Sequence, residues 1–198
     1  FLINLYKNGK LQDVIDRSGK MLSEYSSSLI LYNLNGTANA LLKKYDDAVK
    51  CYEKALQINP NYAPAYNNLG NIFREKGDIE TTIKNYKKAI KIKNDYSEAY
   101  YNLGNVLKEL KEFEEAINCY EKTLKINPNN ADANNNLGNL LKESGEEKKA
   151  IPYYEKAIKI NPNYANSYNN LGVIYQNQDE FEKAINFYKK AIEIYPNF

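Results

Sequence analysis

The sequence predicts an all-α protein, a solenoid of antiparallel helix pairs, on three observations. Gly36, Gly70, Gly104, Gly138 and Gly172 fall 34 residues apart without a slip, and a constant period of this size marks one supersecondary unit copied in series. Within each period the apolar residues recur at helical spacing, not at the alternation of a strand. Breaker residues interrupt these stripes, Lys76-Gly77-Asp78 within the second full repeat and Pro60, Pro128, Pro162 and Pro196 at the ends of repeats. Aligned on the glycines, the chain divides into a partial repeat, 1–28, and five full ones, 29–62, 63–96, 97–130, 131–164 and 165–198, as one continuous solenoid domain.

The partial repeat reads as the end of a first helix from Phe1 to about Asn8, a turn at Gly9, and a second helix with Leu11, Val14, Ile15, Met21 and Leu22 inward. Ser26, Ser27 and Ser28 form the connecting loop. The first full repeat carries Asn35 and Asn39 where apolar residues are expected. The second is the most regular: Tyr66, Leu69, Gly70 and Phe73 share one helix face, Lys76-Gly77-Asp78 breaks it, and Ile79, Thr82, Ile83, Tyr86, Ala89, Ile90 and Ile92 form the next stripe. It ends in Asn94 where Pro60, Pro128, Pro162 and Pro196 close the others, proline being unable to continue a helix. The fourth has Asn134 and Glu147 at apolar positions, and Pro152 past the first turn of its helix, where it should bend the axis. The first and fourth full repeats are expected to be the softest.

Each recurring residue has a mechanical reason. The glycines and the small Ala48, Thr82, Ala116, Ala150 and Ala184 let helix backbones approach, while Tyr52, Tyr86, Tyr120, Tyr154 and Tyr188 fill the groove beside them. No single pair buries its stripe, so neighbours must stack. The period, the Tyr-x-x-Leu-Gly-x-x-aromatic start, the later Ala-x-x-x-Tyr and the closing Pro together resemble the tetratricopeptide repeat family. The resemblance implies a right-handed superhelix with the first helix of each pair lining its concave side.

Composition excludes several functions. The net charge of +2 balances 27 basic against 25 acidic residues, and only Arg17 and Arg74 are arginines, which argues against nucleic acid. Histidine is absent, the carboxylates lie in mixed-charge helical patterns, and the glycines never cluster as a phosphate loop. No catalytic residue, metal site or cofactor is expected, and the protein reads as a non-enzyme. Cys51 and Cys119 are a helix pair apart, too distant for a disulfide, and read as core-facing thiols. No apolar run is long enough to span a membrane. The compartment is unknown, cytoplasmic by default, since the chain lacks an initiating Met and an N-terminal signal could be missing. Asn35-Gly36-Thr37 matches a glycosylation acceptor, with Asn35 expected to face inward.

A row of asparagines is the strongest candidate site. Asn68, Asn102, Asn136 and Asn170 lie two residues before a glycine, and Asn71, Asn105 and Asn139 one after. Asn67, Asn135 and Asn169 stand one residue before the first row, with Tyr101 as the variant. An amide offers an acceptor and two donors, so such a row suits the backbone of an extended peptide, with Arg74, Lys108, Lys142, Tyr101 and Glu98 flanking it. The arrangement resembles the asparagine ladder of O-GlcNAc transferases. A structural row of inter-helix amides is the competing reading. Tetratricopeptide domains that hold a chaperone's C-terminal carboxylate use Lys and Arg where this chain has Asn67, Tyr101, Asn135, Pro64, Glu98 and Asp132, so that partner is not expected.

The leading function is therefore a protein-interaction scaffold binding an extended peptide in its groove. One alternative is head-to-tail self-assembly into a superhelical filament through Phe1, Leu2, Ile3 and Leu5 at one end and Ile185, Phe187, Tyr188, Ile192 and Ile194 at the other, since contacts of that type do not close. Another is the substrate-recruiting region of a larger glycosyltransferase.

Overall fold

Local signals start and stop each helix. In the computed structural model, which describes residues 1–196, twelve helices and no strand occur among the described residues: α1 Leu2–Lys7, α2 Leu11–Glu24, α3 Leu29–Leu41, α4 Tyr45–Ile58, α5 Ala63–Glu75, α6 Ile79–Ile92, α7 Ser97–Glu109, α8 Phe113–Ile126, α9 Ala131–Glu143, α10 Glu147–Ile160, α11 Ala165–Asn177 and α12 Phe181–Ile194. Side chains of Ser28, Asp78 and Asn130 cap α3, α6 and α9 by accepting from Leu31, Thr81 and Ala133 N–H groups.

Within each pair the turn has one solution. Gly77 adopts φ +78°, its N–H reaches the Arg74 carbonyl at 3.0 Å, and the Asp78 N–H reaches Phe73 at 2.9 Å. This pattern satisfies carbonyls that α5 leaves open. Gly145 repeats it after α9, but Lys43, Lys111 and Asp179 hold the same left-handed conformation without being glycine.

The helices follow one another as consecutive antiparallel pairs, an all-α solenoid arrangement. By compactness the chain forms two units, 1–102 and 103–198, with the boundary inside α7. In the first, α3 packs on α4 and α5 on α6, and Ala48, Tyr52 and Ala55 of α4 form one core cluster with Ala65, Leu69 and Ile72 of α5. In the second, α9 packs on α10 and α11 on α12, burying Leu137, Leu140, Tyr154, Leu171 and Ile174.

The glycines make room for rings. A Cβ built on Gly36, Gly70, Gly104, Gly138 or Gly172 would fall 2.5–2.9 Å from Tyr52, Tyr86, Tyr120, Tyr154 or Tyr188. The nearest atoms are those of the tyrosine ring, so glycine and tyrosine are one packing device. Proline proves dispensable as a stop: α6, followed by Asn94, ends at Ile92, in register with the proline-closed helices, and Lys93 is extended like Asn59 and Asn161. Helix α10 continues through Pro152.

One inward expectation changes, at Met21, and the inward position expected of Asn35 is the one it takes. Met21 is 40% exposed, whereas Val14 is fully buried and Ser18 takes the next core position. Asn35 and Asn39 are buried as a polar network: Asn35 Nδ2 donates to the Ile15 carbonyl (3.1 Å) and Ser18 Oγ (2.8 Å), and Asn39 Nδ2 donates to Asn35 Oδ1 (2.7 Å). Asn35 is 7% exposed with its amide nitrogen engaged, which excludes a glycan there in the folded chain.

Candidate functional site

The amide row is built by the first helices of the pairs, and each unit carries its own part. In α5, Asn71 follows Gly70, so its side chain emerges beside the ring seated on that glycine. Tyr86, fully buried on α6, donates its hydroxyl to Asn71 Oδ1 at 2.7 Å. Asn102 on α7 donates Nδ2 to the same oxygen at 3.2 Å and to Asn67 Oδ1 at 3.1 Å. One carbonyl oxygen thus joins a helix pair to the next helix.

The second unit repeats the motif twice. Tyr120 and Tyr154 donate to Asn105 and Asn139 Oδ1, each at 2.8 Å. Asn136 and Asn170 Nδ2 reach the same two oxygens at 3.1 and 2.9 Å. Both lone pairs of each carbonyl are used. No acceptor is hydrogen-bonded to Nδ2 of Asn71, Asn105 or Asn139 among the described residues, and these groups remain as donors.

The sequence-designated residues separate by environment. Asn68 is half-buried and donates to Asn33 Oδ1 at 3.0 Å. Asn67 and Asn135, read with the row, are buried: Asn67 donates to Glu98 at 3.0 Å and Asn135 accepts from Ser167 Oγ at 2.9 Å. Arg74, Tyr101 and Lys108 are half-buried, and Lys142 Nζ is bonded to Asn170 Oδ1 at 2.7 Å. Of the end residues, Phe187 stacks on Tyr175 at 5.4 Å between ring centroids, and Tyr188 donates to Gln176 at 2.6 Å, so both serve their own pair. Leu2 and Leu5 are half-buried, Phe1 lies under the Arg17 guanidinium at 4.8 Å, and Ile192 is exposed.

Titration reflects burial. Desolvation raises the phenols of Tyr52 and Tyr154, more than the Thr37 hydrogen bond offsets at Tyr52. Cys51 is pushed up to about 11, first by burial and then by Asp47, so at neutral pH both tyrosine hydroxyls are donors and the thiol is inert. Both cysteines are free. Among the described residues no group of three His, Cys, Asp or Glu could hold a metal, and no helix is long and apolar enough to cross a membrane.

The Tyr-to-Asn bonds escaped the sequence reading. Their signal was a constant offset of 15 residues from Asn71 to Tyr86, Asn105 to Tyr120 and Asn139 to Tyr154.

A family model described as TPR repeat matches residues 36–73 and 70–111, and models described as tetratricopeptide repeat match 97–130 and 131–197. MamA is similar at 30% identity and a TM-score of 0.73, over 82% of this chain and 95% of that one. YrrB, described as a TPR protein with an unusual peptide-binding site, is 25% identical with a TM-score of 0.73, over 90% and 92%. The probable UDP-N-acetylglucosamine–peptide N-acetylglucosaminyltransferase SEC of Arabidopsis thaliana is 36% identical over 76 residues, 38% of this chain and 8% of the enzyme. The chain spans less than a third of the length of the curated relatives it matches, 8%, 21% and 28%.

Proposed function

The chain belongs to the tetratricopeptide repeat family, and from that premise we propose that it is a non-enzymatic interaction scaffold that holds an extended segment of a partner protein by its backbone. One observation carries the reading. The amides of Asn71, Asn105 and Asn139 are oriented through their oxygens by a tyrosine and a neighbouring asparagine, and their Nδ2 donors are left over. A pre-oriented donor loses little conformational freedom on binding, and a peptide carbonyl is an acceptor that every sequence presents. Arg74, Lys108 and Tyr101 flank the row and would select side chains. Lys142, on the same row, is bonded to Asn170 Oδ1. The peptide-binding site ascribed to YrrB is consistent with this use of the fold.

Asn→Asp at positions 71, 105 and 139 separates binding from architecture. The carboxylate still accepts from tyrosine and asparagine but no longer donates. Binding to an unstructured-peptide library should fall at least about tenfold, one bond-equivalent, with the helical signal unchanged. Unaltered peptide binding, or no peptide bound by the parent chain, would overturn the reading.

The exposure of Phe181, Ile185 and Ile192 on α12, at 56%, 51% and 53%, favours a second reading, self-association through this face. Light scattering across concentration decides it, since a mass that stays monomeric removes the case.

A further inference from the structure

Among the junctions between full repeats, the clasp between helix pairs fails at one, and a pocket lies there. After Gly70, Gly104 and Gly138 an asparagine receives the Nδ2 of the following repeat. After Gly36 stands Thr37. Its hydroxyl donates to the Asn33 carbonyl at 2.8 Å and pairs with the Tyr52 hydroxyl at 3.0 Å, and it is too short to take the place of the missing carbonyl. Asn68 Nδ2 turns to Asn33 instead.

Between α3 and α5 this leaves a cavity of about 310 Å³. Leu41, Tyr45 and Ile72 line it with apolar surface, and Asn68 and Asn71 stand at its polar side. Lys43 and Glu75 also line it, and their opposite charges leave no net field favouring an ionic occupant. Leu41 is 56% exposed. A small, mainly apolar cavity with a few converging polar groups is what a side-chain subsite requires.

The geometry points to this pocket as a specificity subsite for one uncharged apolar side chain, leucine- to phenylalanine-sized, of an extended peptide whose adjacent carbonyl meets Asn71 Nδ2. Only the carbonyl contact rests on the amide-row reading. The apolar seat stands on the missing clasp. The chain therefore has one selective position on an otherwise sequence-tolerant surface.

Thr37→Asn tests it, because asparagine is the residue at this register in α5, α7 and α9 and should restore the clasp. The probes are N-acetyl-leucinamide and N-acetyl-glycinamide, titrated into the isotope-labelled chain and followed by amide NMR shifts. Leucinamide should shift Leu41, Ile72 and the Asn71 side-chain amide with millimolar affinity, glycinamide should not, and T37N should weaken the leucinamide response at least fivefold while staying folded. No shifts at the pocket, equal response to glycinamide, or an undiminished response in T37N would each overturn the subsite. A parallel screen of random peptides keeps the two claims apart. Peptides that bind through the amides with no apolar preference sink the pocket alone, whereas saturable leucinamide binding without any peptide binding sinks the amide row alone.

Discussion

Gly70 lies directly against the ring of Tyr86, and a Cβ at that glycine would sit 2.5 Å from the ring edge. The ring has nowhere to go, because Tyr86 is fully buried and its hydroxyl is tied to Asn71 at 2.7 Å. Gly70→Ala therefore replaces a contact with an overlap. Overpacking costs about 1–3 kcal/mol, against about 0.5–1 kcal/mol gained from helix propensity. A net loss of about 1–2 kcal/mol is expected in urea unfolding. Gly19, mid-helix in α2 with nothing within 4 Å of its Cβ position, reverses the sign: Gly19→Ala should stabilise by about 0.5–1 kcal/mol. Equal effects at the two sites would break the ring-seat argument.

The contrast shows what could be read in the chain. Period and spacing are local, so the Gly–Tyr pairing, the turns and the helix pairs were legible from Gly36 through Tyr188. The clasp was not. Helical spacing says which face Asn71 occupies but not that Asn102 lies within reach of it, since that distance depends on how repeats stack. The same limit explains Asn67 and Asn135, which share the amide chemistry of the row yet are buried, and Met21, whose inward position is taken by Ser18 hydrogen-bonded to its own helix at 2.6 Å.

Asn134 occupies the register where the other full repeats carry Tyr32, Tyr66, Tyr100 and Tyr168. It is fully buried, its Nδ2 donates to Asn130 at 2.8 Å, and its Oδ1 has no partner. A buried unmet acceptor costs about 1–3 kcal/mol. Asn134→Tyr removes it and offers a ring that Lys156 should cover, as Lys88 covers Tyr66 at 5.7 Å. The variant should gain about 1 kcal/mol, read as a higher urea midpoint. A lower midpoint would mean the site has closed around the smaller side chain.

Lys111 holds φ +64° at the turn where Gly77 and Gly145 hold +78°. A left-handed conformation costs a non-glycine residue about 1–2 kcal/mol, partly returned by its smaller freedom in the unfolded chain. Lys111→Gly should stabilise by about 0.5 kcal/mol, and Gly77→Ala should destabilise by a larger amount. A thermal-melt pair measures both, and opposite signs are required.

Alkaline pH should loosen this fold in two steps. Cys51 ionises at about 11 in the folded chain against 9.0 in its ordinary setting, so the unfolded state loses its proton first. A group that keeps its proton longer when folded adds stability at low pH and loses it as pH rises between those two values. Tyr52 and Tyr154 act in the same direction from their ordinary 10.0 upward. The urea midpoint should hold steady from about pH 7 to 8.5, fall as the thiol range is entered, and fall more steeply once the unfolded phenols ionise. Cys51→Ser should flatten the first part only. If the midpoint is constant up to the ordinary tyrosine range in the parent chain, the thiol is better solvated than its position beside Asn35 implies.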